Sequence, residues 1–146
     1  KFYNNPKEKG VIMKIDAGII ARDAREAGPS AKALEEAGYD GAYTFEGPHD
    51  PFLPLVTAAM ATKKIELITS IAVAFSRNPM ILANLGYDLN LISEGRFILG
   101  LGSQIKPHIT KRFSMPWSKP AERMKEMIGF YHVVLLFGIQ SMLGRK

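Results

Sequence analysis

Apolar runs of strand length alternate along the chain with stretches of helical period. Val11 to Ile19, Tyr39 to Thr44, Ile65 to Val73 and Phe97 to Leu101 predict four strands, the third rich in β-branched residues. After the first strand, Ala31, Leu34 and Ala37 share one helical face; the helix is expected to start near Pro29 and Ser30, where proline suits the first turn, and to stop at Gly38. Pro51 opens a second helix through Leu53, Leu55, Val56, Ala59 and Met60. Asn78 and Pro79 cap a third, Met80 to Leu91, with Ile81, Leu82, Leu85 and Leu89 on its apolar face. After a long loop, a fourth helix is expected from about Lys119 to at least Phe130. Repetition of strand and helix predicts an α/β fold with a parallel sheet. The pattern alone leaves a barrel and a doubly wound sheet both open.

The two sets of connections differ in chemistry. The helix-to-strand turns GYDG, TKK and SEGR are short, whereas the strand-to-helix loops are longer and carry most of the reactive side chains. Parallel α/β folds bind ligands at the carboxyl ends of their strands. A candidate site therefore collects Glu46, His49, Ser70 to Phe75 and Gly100 to Lys106. Gly100 and Gly102 would let a backbone approach a ligand closely. On the residues alone, Glu46 is either an acid of the site or a loop carboxylate in water, and His49, between Pro48 and Asp50, either an acid–base group or a turn residue. Ser70 and Ile71 equally suit ordinary interior strand positions. His108 and His132 lack a second ligand at metal spacing, so no metal site is expected. The segment DAGIIARDAREAG after the first strand lacks the G-x-G-x-x-G of an open-sheet dinucleotide binder.

Charge and composition narrow the partners. The net charge of +5 sits mainly on the ends, on Lys1, Lys7, Lys9, Arg145 and Lys146. Without a basic face or interleaved aromatics, no nucleic-acid partner is expected. The absence of cysteine rules out disulfides and thiolate chemistry. KFYNNPKEKG carries no apolar stretch of signal-peptide kind, and a cytoplasmic location is expected. Met13 opens MKIDAGI in the manner of a natural start, so residues 1–12 are expected to be an extension or tag. The apolar stretch IGFYHVVLLFGIQSML is interrupted by His132 and Gln140 and falls short of the roughly 20 residues of a membrane span. It predicts a helix that needs a partner.

Three blocks, GYDGAYTFEGPHDP, TSIAVAFSRNP and EGRFILGLGSQ, in this order and spacing, resemble the N-terminal half of the luciferase-like monooxygenase superfamily. The likeness is greatest to its branch dependent on coenzyme F420 and covers about Met13 to Glu126. It implies a (β/α)8 TIM barrel holding F420, or alternatively FMN, at its carboxyl-end mouth. It further implies a non-proline cis peptide between Ser70 and Ile71 against the ring, with Ser70, Ile71, Ala72, Gly102, Ser103 and Gln104 as cofactor-binding residues. Glu46 matches an acid beside the ring, and Glu46, with His49 as a displaced acid or base, is the expected catalytic pair. Two departures separate the chain from sugar-phosphate-oxidising relatives. Gly47 stands where those carry a histidine, and Ile105 where they carry a second acid. Trp117 is expected to cover part of the mouth, and Arg123 to pair with a carboxylate.

Four strand–helix units are half of such a barrel, which needs about 250 residues. The expected organisation is residues 1–12 as an extension, 13–138 as the N-terminal half of the barrel and 139–146 as a divergent tail. A fragment, a frameshifted remnant and a half barrel closing by pairing all fit. The expected function is a flavin- or F420-dependent oxidoreductase acting on a small organic substrate by hydride transfer or oxygen activation. The alternative is a non-catalytic half-barrel module that self-associates or binds a partner, since open parallel edges invite pairing. Expected partners are a small-molecule substrate and either a second copy or a missing C-terminal half.

Overall fold

The computed structural model describes the backbone over residues 13–143 and the side chains over 13–132. The expected extension at residues 1–12 and the last three residues of the expected tail lie outside the described residues. Four strand–helix units follow one another. β1 (Asp16–Gly18) leads to α1 (Ala24–Glu36), and β2 (Gly41–Thr44) to α2 (Leu53–Ala61). The third unit contains β3 (Glu66–Thr69), β4 (Ala72–Val73) and α3 (Pro79–Ile92). The fourth contains β5 (Phe97–Ile98), β6 (Leu101–Gly102) and α4 (Pro120–Leu143). The main sheet has the order β1-β2-β3-β5, and β4 pairs with β6 above it, every pairing parallel.

The period-two alternation of the strands sets the core. Ala42, Thr44, Leu67 and Thr69 are buried, and Ala42 and Leu67 share the core with Leu55, Ala58, Ala59, Leu82 and Leu89 of the helices. Their neighbours Tyr43, Glu66 and Ile68 sit on the other face and are only half-buried.

Two expectations about local structure are corrected. α1 starts at Ala24, not near Pro29, because Asp23 caps it by accepting the Arg25 N–H at 2.7 Å; Pro29 lies inside the helix. Gly28 lets α1 lie close on α2, since a Cβ there would stand 3.1 Å from the Thr57 carbonyl oxygen. The third and fourth strands are also not continuous. β3 gives way to β4 at the cis peptide Ser70–Ile71, and β5 to β6 at Leu99 and Gly100. The glycine stop of α1 stands as expected, with Gly38 at φ 86° and the Tyr39 N–H returning to the Leu34 carbonyl. So does the Asn78 cap of α3, which accepts the Met80 N–H at 2.8 Å.

At the amino-terminal end of the sheet, two side chains fasten the turns. The Arg96 guanidinium donates to the carbonyls of Ala59, Thr62 and Ile65 and to the Thr62 hydroxyl, closing the end of α2. The Glu35 carboxylate accepts the N–H groups of Lys63, Lys64 and Ile65. Burial works to raise its pKa, but these three bonds and nearby Arg96 outweigh it and hold the value below the ordinary 4.5. A depressed folded pKa contributes stability above the unfolded value that is lost as pH falls through the folded one. Glu35 should therefore withdraw stability as pH drops below about 4.5. In urea titrations from pH 6 to 3, Glu35→Gln should show a shallower acid loss than the parent; equal slopes would refute this.

Candidate functional site

The carboxyl ends of the strands bring the expected residues to one end of the sheet. Backbone bonds stitch the second and third strands together there. The Ser70 N–H donates to the Thr44 carbonyl at 2.6 Å, and the Glu46 N–H to the Ile71 carbonyl at 3.1 Å. Across the next gap the Ala72 N–H donates to the Gly100 carbonyl at 2.9 Å. The Thr69 hydroxyl bonds Gly100 both ways, donating to its carbonyl and accepting its N–H, each at 2.9 Å.

These bonds leave Ser70 exposed and Ile71 half-buried, with Ile71 against Gly102. A Cβ on Gly102 would lie 2.7 Å from Ile71 Cδ1, so any larger residue there must push that side chain aside. Beyond it Ser103 and Gln104 are half-buried, with Gln104 at φ 59° and its side-chain oxygen accepting the Ile105 N–H. Ala72 is fully buried and its N–H is taken by Gly100, so it backs this wall from behind. The resulting surface of Ser70, Ile71, Gly102, Ser103 and Gln104 is narrow, small-residued and neutral.

Beside this wall lies a cleft of about 280 Å³ between the first and second strand-end loops, lined by Ile19, Ile20, Phe45, Pro48, His49 and Pro54 among others. His49 is exposed on its rim. Glu46 is elsewhere. Its carboxylate, 5% exposed, accepts the Val73 N–H at 2.6 Å and pairs with Arg77. The two expected acid–base groups thus share a loop but not an environment.

Several residues of consequence escaped the sequence pattern. Arg77, 14% exposed, reaches both Glu46 and Asp50. Arg112, in a π-helical turn at His108–Arg112, donates to the Gly47 carbonyl. A pairing signal existed only in hindsight for Arg77, as the one basic residue of TSIAVAFSRNP. Arg123 corrects an expectation: it stacks on the Phe75 ring, 4.4 Å from the centroid, and donates to the Pro116 carbonyl rather than to a carboxylate. Trp117 stands edge-on to the same Phe75 ring at 5.9 Å. Among the described residues no group of three or more His, Asp and Glu is arranged to hold a metal ion, and no helix is long and apolar enough to cross a membrane.

A family model described as luciferase-like monooxygenase matches residues 10–135. The chain belongs to that family. An uncharacterized protein of Mycobacterium tuberculosis is 56% identical over 124 residues, which cover 85% of this chain and 36% of that protein. Among solved luciferase-like structures, the oxygenating component of 3,6-diketocamphane monooxygenase from Pseudomonas putida, in complex with FMN, superposes with a TM-score of 0.72. It is 20% identical, covering 84% of this chain and 40% of that one. The coenzyme F420-dependent tetrahydromethanopterin reductase from Methanopyrus kandleri superposes with a TM-score of 0.60 at 25% identity, covering 71% and 30%. The chain therefore spans little more than a third of the length of the relatives it matches. Its parallel strand–helix units match part of the TIM barrel of these luciferase-like enzymes.

Proposed function

We propose that the protein is a flavin- or F420-dependent oxidoreductase acting on a small organic substrate, with F420 as the preferred cofactor. The observation that carries this reading is the wall at the strand ends, where the Ile71 side chain lies closer to Gly102 than a Cβ there would allow without moving it. Ser70, Ile71, Gly102, Ser103 and Gln104 would hold the ring, with Ala72 behind them. When bound, either cofactor supplies a hydride-bearing carbon or nitrogen, and reduced FMN also supplies oxygen activation. The chain's own contribution is to bind and orient the ring and to place His49 on the rim of the neighbouring apolar cleft. There its imidazole is the side chain offered for proton exchange with a substrate. Glu46, one strand away, is the second acid–base candidate. The preference for F420 rests on the 25% identity to an enzyme that depends on it, against 20% to the FMN complex.

Titration of the purified protein with FMN and with F420, followed by absorbance, tests the reading. Saturable binding of one supports it, and binding of neither defeats it. Gly102→Val should weaken that binding by about tenfold while shifting the melting temperature little. The obstructing atom is the far end of a flexible side chain, which can move, but moving it reshapes the wall. Unchanged affinity in this variant would remove Gly102 from the site.

The alternative, a self-associating half-barrel module, draws on the exposed apolar side chains Met13, Ile15 and Ile98 on and beside the two outer strands of the main sheet. Size-exclusion chromatography of the same sample separates the two. A discrete dimer without cofactor affinity favours the module.

A further inference from the structure

We propose that Arg77 is a positioning residue of this site: it fastens the loop carrying His49 to the strand end that carries Ser70 and Ile71. The proposal rests on the cofactor reading above for its functional consequence, but its geometry stands independently.

Beyond Thr44 the second strand leaves the sheet, and its backbone bonds to the third strand end with Glu46 N–H on the Ile71 carbonyl. The following residues, Gly47 to Asp50, form no strand or helix. One arginine spans that gap. Arg77 Nη1 donates to Glu46, to the Val73 carbonyl at 3.1 Å and to the Ser76 hydroxyl at 3.2 Å. Its Nη2 donates to Asp50 Oδ2 at 2.9 Å. The guanidinium lies over the Phe52 ring, 5.3 Å from the centroid. Both ends of the loop, Glu46 and Asp50, are therefore held by one rigid fork whose own backbone follows β4 after the short 3-10 turn Ala74–Ser76. Lysine carries the charge but not the fork, and cannot span two carboxylates in this way.

Burial makes the arrangement stiff. With Arg77 14% and Glu46 5% exposed, removing the arginine leaves a carboxylate in a poorly solvated place with only the Val73 N–H. Burial alone would lower the Arg77 pKa, and the bonds to Glu46 and Asp50 more than reverse this, so the guanidinium stays charged. Asp50 has a second duty, because its Oδ1 accepts the Phe52 N–H at 2.8 Å in the turn that leads into α2. His49 is thus bracketed between two carboxylates, Glu46 and Asp50, that the same arginine holds.

The test combines hydrogen exchange across the loop, read by mass spectrometry of peptides spanning residues 45–51, with FMN and F420 titrations. The proteins are the parent chain, Arg77→Met, Arg77→Lys and Asp50→Asn. Arg77→Met should speed loop exchange and weaken cofactor binding, each by about tenfold, with Arg77→Lys between it and the parent. Asp50→Asn keeps an oxygen for the Phe52 N–H and loses the ionic contact. It should speed exchange in the loop alone with an unchanged melting temperature, and it carries the test with Arg77→Lys if Arg77→Met does not fold. Parental exchange and affinity in Asp50→Asn and Arg77→Lys would overturn the proposal, as would exchange that rises evenly over the whole chain. If the parent binds neither FMN nor F420, the cofactor reading fails, and the loop exchange still decides whether Arg77 holds the loop.

Discussion

Gly100→Ala should cost about 3 kcal/mol of folding stability, the upper end for a group forced into a filled interior. A Cβ at this position would lie 2.0 Å from the carbonyl oxygen of Thr69. Because the obstructing atom is backbone of the adjacent strand, no rotamer change relieves it. Separating the strands would break the paired bonds between Gly100 and the Thr69 hydroxyl, and then the bond from the Ala72 N–H to the Gly100 carbonyl. Ser70 and Ile71 lie between the two residues so displaced. Urea unfolding measures the loss. Gly129→Ala is the control, because a Cβ on that helical glycine meets nothing within 4 Å and alanine favours the helix. A Gly100→Ala midpoint equal to the control's would show that the strand end adjusts freely.

Phe52→Ala should be at least as severe, at about 3–5 kcal/mol for a fully buried aromatic truncated to a methyl group. Phe52 is 1% exposed at the start of α2 and belongs to the central apolar cluster with Leu55, Phe75 and Leu82. Its loss opens a cavity under the helix and removes the surface on which the Arg77 guanidinium rests. A domain's whole stability is about 5–15 kcal/mol, so the variant is expected to lack most of a cooperative urea transition at 25 °C. Phe52→Leu, which refills part of the volume, should recover much of it. A Phe52→Ala midpoint close to the parent's would mean that α2 is not docked through this ring.

What could be read ahead of the structure was what depends on near neighbours. Asn78 caps α3 because its side chain reaches an N–H two residues on, and Gly38 ends α1 because the positive φ suits glycine. The alternation in GAYT and ELIT followed from one face lying under helices. Pro29 misled because proline favours a first turn, while Asp23, six residues earlier, already satisfied the first donors of the helix. The strand breaks at Ser70 and at Leu99 and Gly100 fall where one or two small residues interrupt an apolar run, too little for period to mark a break; only the family resemblance pointed to the cis peptide at Ser70–Ile71.

The candidate site divides in the same way. The residues proposed for its wall, Ser70 to Ala72 and Gly102 to Gln104, were named through the family resemblance of two of the three sequence blocks. Its anchors were not. Glu46 and Arg77 are 31 residues apart in the chain, and nothing in either neighbourhood marks the other. Arg123 likewise found an aromatic ring and a carbonyl in place of the carboxylate expected for it.

By itself, then, the sequence determined the order of strand and helix, the parallel course of the sheet, and the end of it where chemistry collects. These follow from periodicity and from caps and turns that act within a few residues. Tertiary structure alone decided which charge meets which, and so why Glu46 and His49, three residues apart, occupy different surroundings. The physical reason is the cost of burying charge. A carboxylate taken out of water must find a cation and donors wherever the fold has brought them, here Arg77 and the Val73 N–H, and their distance along the chain does not enter.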